Sequence, residues 1–354
     1  MLFRDDLQNK KAVQIKVPRK KTMMCLNEST LDPFSVIKDA FFKKMQHVHL
    51  NRYFNEISAS LKEKMALYTG VNSQQLLFGN GADEMLYYIF NAVRNNLEDY
   101  AVSLSPSYFD YKSYTSSVGM QIKFLSLDKK FDFDEEKYLE LCNNSNCKLA
   151  ILCNPNNPTG NLFPKQKLLN IIEKFNKLVL MDETYFEFSG ETLQDYVEQF
   201  PNLILVRSFS KSFSSAGLRF GYAISNQKNI EQLKKVVTAF NLSLLTQTFV
   251  DTMLDFQNIF LEHTQNVVQM REKLYKNLNN LAGIEAKPSA TNFLSFTAGK
   301  LSSQLFQHLQ KNEIAVRDIG AHPLLKNYLR VTVGTPAEND KFIKTIQTFI
   351  EGRK

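Results

Sequence analysis

Long apolar runs are absent from this 354-residue sequence. A membrane-spanning helix needs roughly twenty consecutive apolar residues, and no stretch approaches that length. The segment from Met1 to Lys11 also lacks the apolar run of a secretory signal peptide. We therefore expect a soluble cytoplasmic protein that has no membrane partner.

Cysteine is scarce, with four in the chain, and no two of them form a Cys-x-x-Cys pair. No histidine lies at metal-ligand spacing from any of them. We interpret the four cysteines as free thiols in a reducing compartment, and we expect no bound metal.

The chain also lacks a basic stripe, although its net charge is +7. The lysines are scattered, and no run of Lys or Arg alternates with aromatic residues. The densest basic run, Lys10–Lys21, is interpreted as a solvated arm. We expect no nucleic-acid partner, and a basic surface favours small phosphorylated or carboxylated substrates instead.

Short apolar segments alternate along the chain with longer amphipathic ones, a pattern typical of an α/β sheet covered by helices. The predicted strands are Ala101–Ser105, Ile122–Ser126, Lys148–Cys153, Lys177–Met181, Leu203–Val206 and Gly221–Ile224, with helices at Ala82–Asn96 and Lys165–Phe175. The last third is predicted to contain the helices Glu231–Leu254, Phe260–Leu281 and Ser302–Asn312 and the strands Asn292–Thr297 and Leu329–Val333. We predict an N-terminal arm (1–30), a large α/β domain (31–235) and a smaller α+β domain (236–354).

Two polar residues follow predicted strands, at the sheet edge where open α/β sheets bind ligands. Asp182 ends a buried apolar run, and Lys211 follows the next strand. Taken singly, they fit a salt-bridged acid and a surface charge. Pyridoxal phosphate (PLP) gives both a sharper role. A buried carboxylate keeps the cofactor's ring nitrogen protonated, and a desolvated lysine beside positive charge forms the Schiff base.

Groups suited to a phosphate surround this lysine in the sequence. Ser208 and Ser210 precede it, and Arg219 follows in the segment Ala-Gly-Leu-Arg-Phe-Gly. A guanidinium can bind phosphate through two hydrogen bonds. A glycine-rich turn opens the predicted helix at Ala82 and Asp83, where backbone N–H groups could bind the same anion, although an ordinary capped turn fits equally well.

Other side chains could contact the cofactor ring or the substrate. Tyr185 and Asn157 could reach the phenolic oxygen of the ring, and Tyr108 could stack on its face, although an aromatic residue there is more often part of the core. Arg330 lies in an apolar run, where it needs either an internal ion pair or a substrate carboxylate. Arg317 lies just upstream.

In their order along the chain, these motifs resemble those of the fold-type I PLP-dependent aminotransferases, most closely the histidinol-phosphate aminotransferases. The matching segments are Gly79–Glu84, Pro106–Tyr108, Asn154–Gly160, Asp182–Tyr185, Ser208–Lys211, Gly217–Gly221, Asn51–Phe54, Ala315–Asp318 and Tyr328–Thr335. The likeness runs from about Asn27 to the C-terminus. It implies a large domain with a mostly parallel seven-stranded sheet, and a smaller α+β C-terminal domain.

The resemblance also implies a role for each residue. Lys211 would bind the cofactor covalently and move the substrate proton, with Asp182 and Tyr185 as its catalytic partners. The other implied cofactor contacts are Ala82, Asp83, Tyr108, Asn157, Ser208, Ser210 and Arg219, together with Tyr53, which would reach the partner subunit's active site in a homodimer. Arg330 would bind the α-carboxylate, Arg317 the substrate phosphate, and Asn27 would lie near the substrate.

Departures from the family pattern cluster in the N-terminal arm. The usual Asn-Glu-Asn-Pro reads Asn27-Glu-Ser-Thr here, Arg-Tyr-Pro reads Arg52-Tyr-Phe, and no tyrosine precedes Tyr53. The implied activity is transfer of an amino group between histidinol phosphate and 2-oxoglutarate. The alternatives are an aminotransferase for aromatic or other amino acids, and a decarboxylase for threonine phosphate.

A PLP-binding regulator is an alternative of another class. Such regulators carry a DNA-binding domain ahead of the aminotransferase fold. Because the family likeness begins near Asn27, we do not favour this alternative.

Overall fold

The computed structural model describes residues 2, 7, 19–54 and 56–353, so most of the basic run Lys10–Lys21 lies outside the described residues. The strands are β1 (Thr22–Met23), β2 (Leu76–Gly79), β3 (Tyr100–Ser105), β4 (Gln121–Ser126), β5 (Cys147–Cys153), β6 (Leu178–Asp182), β7 (Leu203–Ser208), β8 (Gly221–Ile224), β9 (Glu285–Ala286), β10 (Phe293–Thr297), β11 (Ile314–Ala315), β12 (Arg317–Asp318) and β13 (Tyr328–Thr332). The helices are α1 (Pro33–Met45), α2 (Ala59–Thr69), α3 (Gly81–Val93), α4 (Asp110–Ser117), α5 (Glu135–Cys142), α6 (Lys165–Lys174), α7 (Phe186–Ser189), α8 (Phe209–Ser212), α9 (Gln227–Lys234), α10 (Leu244–Asp255), α11 (Gln257–Asn279), α12 (Ser302–Lys311) and α13 (Pro336–Glu351).

The central sheet has seven strands in the order β2-β8-β7-β6-β5-β3-β4. Strand β8 runs antiparallel to its two neighbours, and the other pairs are parallel. The predicted α/β class with a mostly parallel seven-stranded sheet is confirmed. Strand β2 was missing from the six predicted strands, because four residues between two turns carry too little periodicity to be recognised.

Both faces of this sheet are covered. Val179 and Leu205 belong to one apolar cluster, and their neighbours Leu180 and Val206 belong to the cluster on the opposite face. Strands buried on both faces are near-continuous apolar runs, which is why they could be predicted from the sequence. Side chains continue to alternate between the two faces up to the polar residues that end the strands, Asp182 in β6 and Ser208 in β7.

A second sheet lies in the C-terminal third, with the antiparallel order β12-β13-β10-β9. Its apolar face packs with α11, α12 and α13 in a separate cluster that includes Phe296, Val331 and Phe342. Strand β1, from the N-terminal segment, pairs in parallel with β11. The N-terminal segment is therefore joined by its backbone to the C-terminal part of the fold.

The predicted continuous helix Glu231–Leu254 is wrong. Helix α9 ends at Lys234, and α10 begins only at Leu244, after an N-cap at Ser243 whose hydroxyl accepts from the Thr246 amide. A serine side chain that accepts a hydrogen bond from a free backbone N–H favours the start of a new helix over the continuation of the preceding one. The proposed domain boundary near residue 235 falls in this break and stays a prediction. Among the described residues, no helix is both long and apolar enough to cross a bilayer.

Candidate active site

The site forms where β6 and β7 end side by side. Asp182 is the last residue of β6 and is the register partner of Val206 in β7. Ser208 ends β7 and caps the short helix α8, on which Lys211 lies. Carboxyl ends of adjacent parallel strands meet at one sheet edge, and this brings the predicted carboxylate and lysine into one site.

Asp182 is buried, and its hydrogen-bond donors among the described residues are neutral. The Tyr111 hydroxyl donates to Oδ2 at 2.6 Å, and the Thr184 hydroxyl donates to Oδ1 at 2.6 Å. Burial raises the pKa of this carboxyl, and the hydrogen bonds from Thr184 and Tyr111 oppose that rise. A desolvated carboxylate with neutral partners is suited to receive a cation, as a protonated pyridine nitrogen is.

Lys211 has the electrostatics of a nucleophilic amine. Its Nζ donates to the Leu26 carbonyl at 3.1 Å. Burial, and next the nearby Arg330 and Arg219 guanidinium groups, lower its pKa to about 8, while Glu28 and Asp83 oppose the shift. A substantial fraction of this amine is therefore neutral near physiological pH, as attack on an aldehyde requires.

The start of α3 lies against β8 with no space for an extra side chain. A Cβ on Gly221 would lie 2.2 Å from the Gly81 carbonyl carbon and 2.4 Å from the Ala82 nitrogen. Gly81 has a φ of +80°, which favours glycine, and a Cβ built on it would lie 2.6 Å from Arg219 Nη2. Arg219 also ion-pairs with Asp83 at 2.8 Å. A guanidinium thus lies beside the N–H groups of a helix start, which is a suitable anion site.

The two predicted serines complete this end of the site. The Ser208 and Ser210 hydroxyl oxygens lie 2.9 Å apart, and the Ser210 amide donates to Ser208 Oγ. Ser208 is also the register partner of Gly221, so the serines lie next to the start of α3. The structure therefore gathers the predicted phosphate-binding residues at one place.

The N-terminal segment covers the site through Asn27. Its Nδ2 donates to the Tyr185 hydroxyl at 2.8 Å, while its backbone is held by Thr332 Oγ1 at 2.9 Å and by Asn292 Nδ2 at 3.0 Å. Burial raises the pKa of Tyr185 to about 12, with Arg330 opposing, so its hydroxyl stays protonated and can donate.

Arg330 extends from β13 towards the same space. Its Nη1 donates to Asn157 Oδ1 at 2.7 Å, and its Nη2 donates to the Cys25 carbonyl at 3.1 Å. The guanidinium lies 5.1 Å from the centre of the Phe293 ring. Its partners among the described residues are oxygens of neutral groups and this ring, and its Nε has no hydrogen-bond partner there. A substrate carboxylate would thus meet a cation that carboxyl groups have not already neutralised.

Three further predicted residues lie at the margin. Arg317 is exposed in β12 and is the register partner of Arg330, which places two cations on adjacent strands. The Tyr108 hydroxyl donates to Asp83 Oδ1 at 3.1 Å, so this ring lies beside the helix start. Tyr53 is 85% exposed and stacks on Phe240, and the next residue, Asn241, donates to the Phe78 carbonyl before the start of α3. The structure thus brings most of the predicted set into one region, with Tyr53 exposed at its edge.

Sequence reasoning missed the groups that hold the predicted ones in place. Tyr111 and Thr184, which bind Asp182, were not selected, although Thr184 follows the aspartate by two residues as in a common Asx turn. The carbonyl groups of Cys25 and Leu26 carry no side-chain signal at all.

The mostly parallel sheet, with its site at the carboxyl ends of β6 and β7, defines an open α/β fold. The sequence model for "Aminotransferase class I and II" matches residues 19–346. The chain belongs to this family, which confirms the predicted aminotransferase class.

Similar proteins cover almost the whole chain. The histidinol-phosphate aminotransferase of Clostridium novyi (strain NT) is 31% identical and aligns with 98% of this chain and 96% of its own. That of Caldanaerobacter subterraneus subsp. tengcongensis is 31% identical, with 99% of each chain covered. The crystal structure of histidinol-phosphate aminotransferase from Sinorhizobium meliloti in complex with pyridoxal-5'-phosphate has a TM-score of 0.87, 22% identity and 98% coverage of both chains.

Proposed function

We propose that this protein is a PLP-dependent aminotransferase that moves an amino group reversibly from histidinol phosphate to 2-oxoglutarate, giving imidazole-acetol phosphate and glutamate. The observation that carries the proposal is Lys211, a half-buried amine with a lowered pKa that interacts with Asp83 and Arg219 of the anion site and lies after β7, at the sheet edge where Asp182 ends β6. The names of relatives that align along nearly the full chain support the choice of substrate.

The residues present fit the cofactor on structural grounds. Asp182 would bind the ring nitrogen, and Tyr185 with Asn157 would bind the phenolic oxygen, since both lie within the same hydrogen-bonded cluster around Asn27 and Arg330. The phosphate would bind the N–H groups at Ala82 and Asp83, the side chains of Ser208, Ser210 and Arg219, and Tyr53 of the partner subunit. When bound, PLP supplies an electron sink for the bond that breaks at the substrate's Cα.

The protein's own part in the reaction is to orient groups and move a proton. Lys211 is placed to take the Cα proton and return it, because an amine with a pKa of about 8 exists in both protonation states near neutral pH. Asp182 would keep the ring nitrogen protonated, and the Tyr185 hydroxyl would donate a hydrogen bond to the phenolic oxygen. The segment around Asn27 would shield these groups from water.

Substrate recognition is assigned to the two arginines of the C-terminal sheet. Arg330 would bind the α-carboxylate shared by amino-acid substrates, using the planar guanidinium that faces the site. Arg317 would bind the substrate phosphate from the adjacent strand. Asn27 would contact the substrate from the N-terminal segment.

The active enzyme is proposed to be a cytoplasmic homodimer. Its interface would include Phe240, which stacks on Tyr53, and the exposed apolar side chains of Leu245, Phe42 and Leu50. An apolar surface of this kind is typical of a protein interface. Sedimentation at working concentration should give twice the mass of the 40.8 kDa chain.

A substrate panel tests the function directly. The purified protein, loaded with PLP, is mixed with histidinol phosphate, phenylalanine, tyrosine or threonine phosphate, and conversion of the bound cofactor to its amino form is followed by absorbance. Histidinol phosphate should give the highest kcat/KM. Preference for phenylalanine or tyrosine would overturn the substrate, and loss of CO2 from threonine phosphate would overturn the reaction type.

A further inference from the structure

One hydroxyl in the N-terminal segment joins three parts of the fold. Ser29 Oγ accepts a hydrogen bond from Ser214 Oγ at 2.6 Å and another from the Leu31 amide at 3.3 Å. It also lies 3.0 Å from His263 Nε2 on α11. These contacts are not explained by cofactor or carboxylate binding.

The direction of the hydrogen bonds follows from the chemistry of a hydroxyl, which has one proton and two acceptor sites. Ser214 and the Leu31 amide occupy the two acceptor sites of Ser29. The remaining proton therefore points at His263 Nε2, which must be unprotonated to accept it. Burial lowers the pKa of His263, which favours the required neutral ring.

Ser214 has an independent sign of a specific role. Its φ is 57°, in the left-handed region that serine seldom adopts. It lies three residues after Lys211, in the turn that follows α8. The hydrogen bond to Ser29 thus connects the lysine-bearing turn with the covering segment at a point where the backbone is constrained.

The same covering segment touches the site at two other points. The Leu26 carbonyl accepts from Lys211 Nζ, and the Asn27 side chain binds the Tyr185 hydroxyl. Neither contact holds the end of the segment, where the chain turns away towards α1. Ser29 lies at that end, and Glu28 beside it lines a small cavity together with Lys211 and His263.

We propose that Ser29 is a positioning residue, which fastens the segment Cys25–Thr30 over Lys211 by bridging Ser214 and a neutral His263. It does not touch the reacting atoms. This role rests on the proposed function, because the segment held by Ser29 would close the substrate side of the active site.

Hydrogen exchange measures the fastening without reference to activity. In the PLP-loaded enzyme, Ser29→Ala should speed exchange of the Asn27 and Leu31 amides by roughly tenfold, the effect of losing one or two hydrogen bonds. Ser29→Thr, which keeps the hydroxyl, should restore most of the protection. Ser35→Ala is the matched control, because the exposed Ser35 hydroxyl on α1 donates to the carbonyl of Asp32, the N-cap of the same helix.

Kinetics provide the second readout. Ser29→Ala should raise KM for both the amino and the oxo substrate by about tenfold, while kcat changes by less than about threefold, because Lys211 and Asp182 are untouched. A purely structural role would instead lower the melting temperature and leave KM unchanged, and that result would overturn the proposal.

Ser214→Gly keeps the test decisive if Ser29→Ala folds poorly. Glycine accepts the positive φ, so stability should not fall, yet the hydroxyl is lost and exchange at Asn27 should still accelerate. Unchanged exchange in both variants would refute the fastening. Inactivity of the wild-type enzyme towards every amino donor would refute the proposed function alone, since the exchange result does not depend on turnover.

Discussion

The cofactor end and the substrate end of the site are held together in different ways. At the cofactor end, part of the hydrogen bonding is local, as between Asp182 and Thr184, two residues apart. Tyr111 and Arg219 add longer-range bonds, to Asp182 across 71 positions and to Asp83 across 136. At the substrate end, they join distant segments: Asn27 binds Tyr185 across 158 positions and Thr332 across 305. The residues of the cofactor end therefore lie in short motifs at strand ends, with some long-range support, whereas the substrate end depends throughout on contacts between three distant parts of the chain.

The largest effect is expected at the cofactor end, from Lys211→Ala. Loss of the amine removes both the covalent link and the proton carrier, so kcat should fall by about 10⁴-fold or more. Stopped-flow absorbance of the first half-reaction measures this. Lys174→Ala, on the outer surface of α6, is the control and should keep its rate. A Lys211→Ala enzyme with wild-type turnover would disprove the mechanism.

Next in size is Asp182→Asn, which keeps the shape of the side chain but removes its charge. A neutral amide cannot hold the ring nitrogen protonated, so kcat should fall by about 10³-fold with PLP still bound. Asp182→Glu should retain more activity than the asparagine variant. Equal activity of the two variants would show that the charge is not what matters.

A third prediction concerns the layer beneath the cofactor. Glu183 follows Asp182 in the chain, and Arg207 precedes Ser208. Their side chains lie on the opposite side of the sheet from these site residues and form a buried ion pair at 2.8 Å. Glu183→Gln should lower the free energy of unfolding by about 3 kcal/mol, because it leaves a buried guanidinium without its counter-charge. Urea denaturation measures this. Glu285→Gln, in an exposed pair with Lys287, should change stability little.

The fourth prediction separates the two arginines at the substrate end. Arg330→Lys should lower kcat/KM for every amino-acid substrate by about 50-fold, through loss of paired hydrogen bonds to the carboxylate. Arg317→Lys should lower kcat/KM by about tenfold, and only for substrates that carry a phosphate. Measuring kcat/KM of each variant with histidinol phosphate and with glutamate distinguishes the two arginines. If Arg317→Lys lowers kcat/KM equally for both substrates, Arg317 does not have the assigned role.

The smallest effect links the two ends. Because Lys211 has a lowered pKa, its neutral form dominates above pH 8, and the rate of PLP attachment to the free enzyme should rise with pH and level off above about 8. Arg330 is the second cause of that lowering, after burial. Arg330→Gln should therefore move the midpoint of the profile to higher pH. An unchanged midpoint would show that burial alone sets the pKa.

The position of the cofactor-end residues could be predicted from the sequence because they stand at fixed offsets from apolar strands, while their roles stay predictions. Asp182, Ser208 and Lys211 could be placed at one edge of the sheet before any contact was known. Tyr111 could not, since its bond to Asp182 joins residues 71 positions apart and depends on the packing of α4. Identity of a residue type was predictable, but the partner that fixes its position was not.

The substrate end was predictable only as a set of arginines and an asparagine. The anchoring groups there include the Cys25 and Leu26 carbonyls, which any residue type would supply. Ser29 was visible only as a departure from a family motif. The break between α9 and α10 was missed for a related reason: Val236 and Val237 pack against one core cluster and Leu242 lies in the other, and helical periodicity does not reveal these tertiary contacts.

The short parallel pairing of β1 with β11 has a mechanical consequence. Two residues of the N-terminal segment are tied by backbone hydrogen bonds to the C-terminal part of the fold, whereas Leu26, Asn27 and Ser29 meet residues that follow β6 and β7 through individual hydrogen bonds. Any rotation of the C-terminal sheet would carry the segment with it as one rigid body. Opening of the active site would then break those contacts and leave the strand pairing intact.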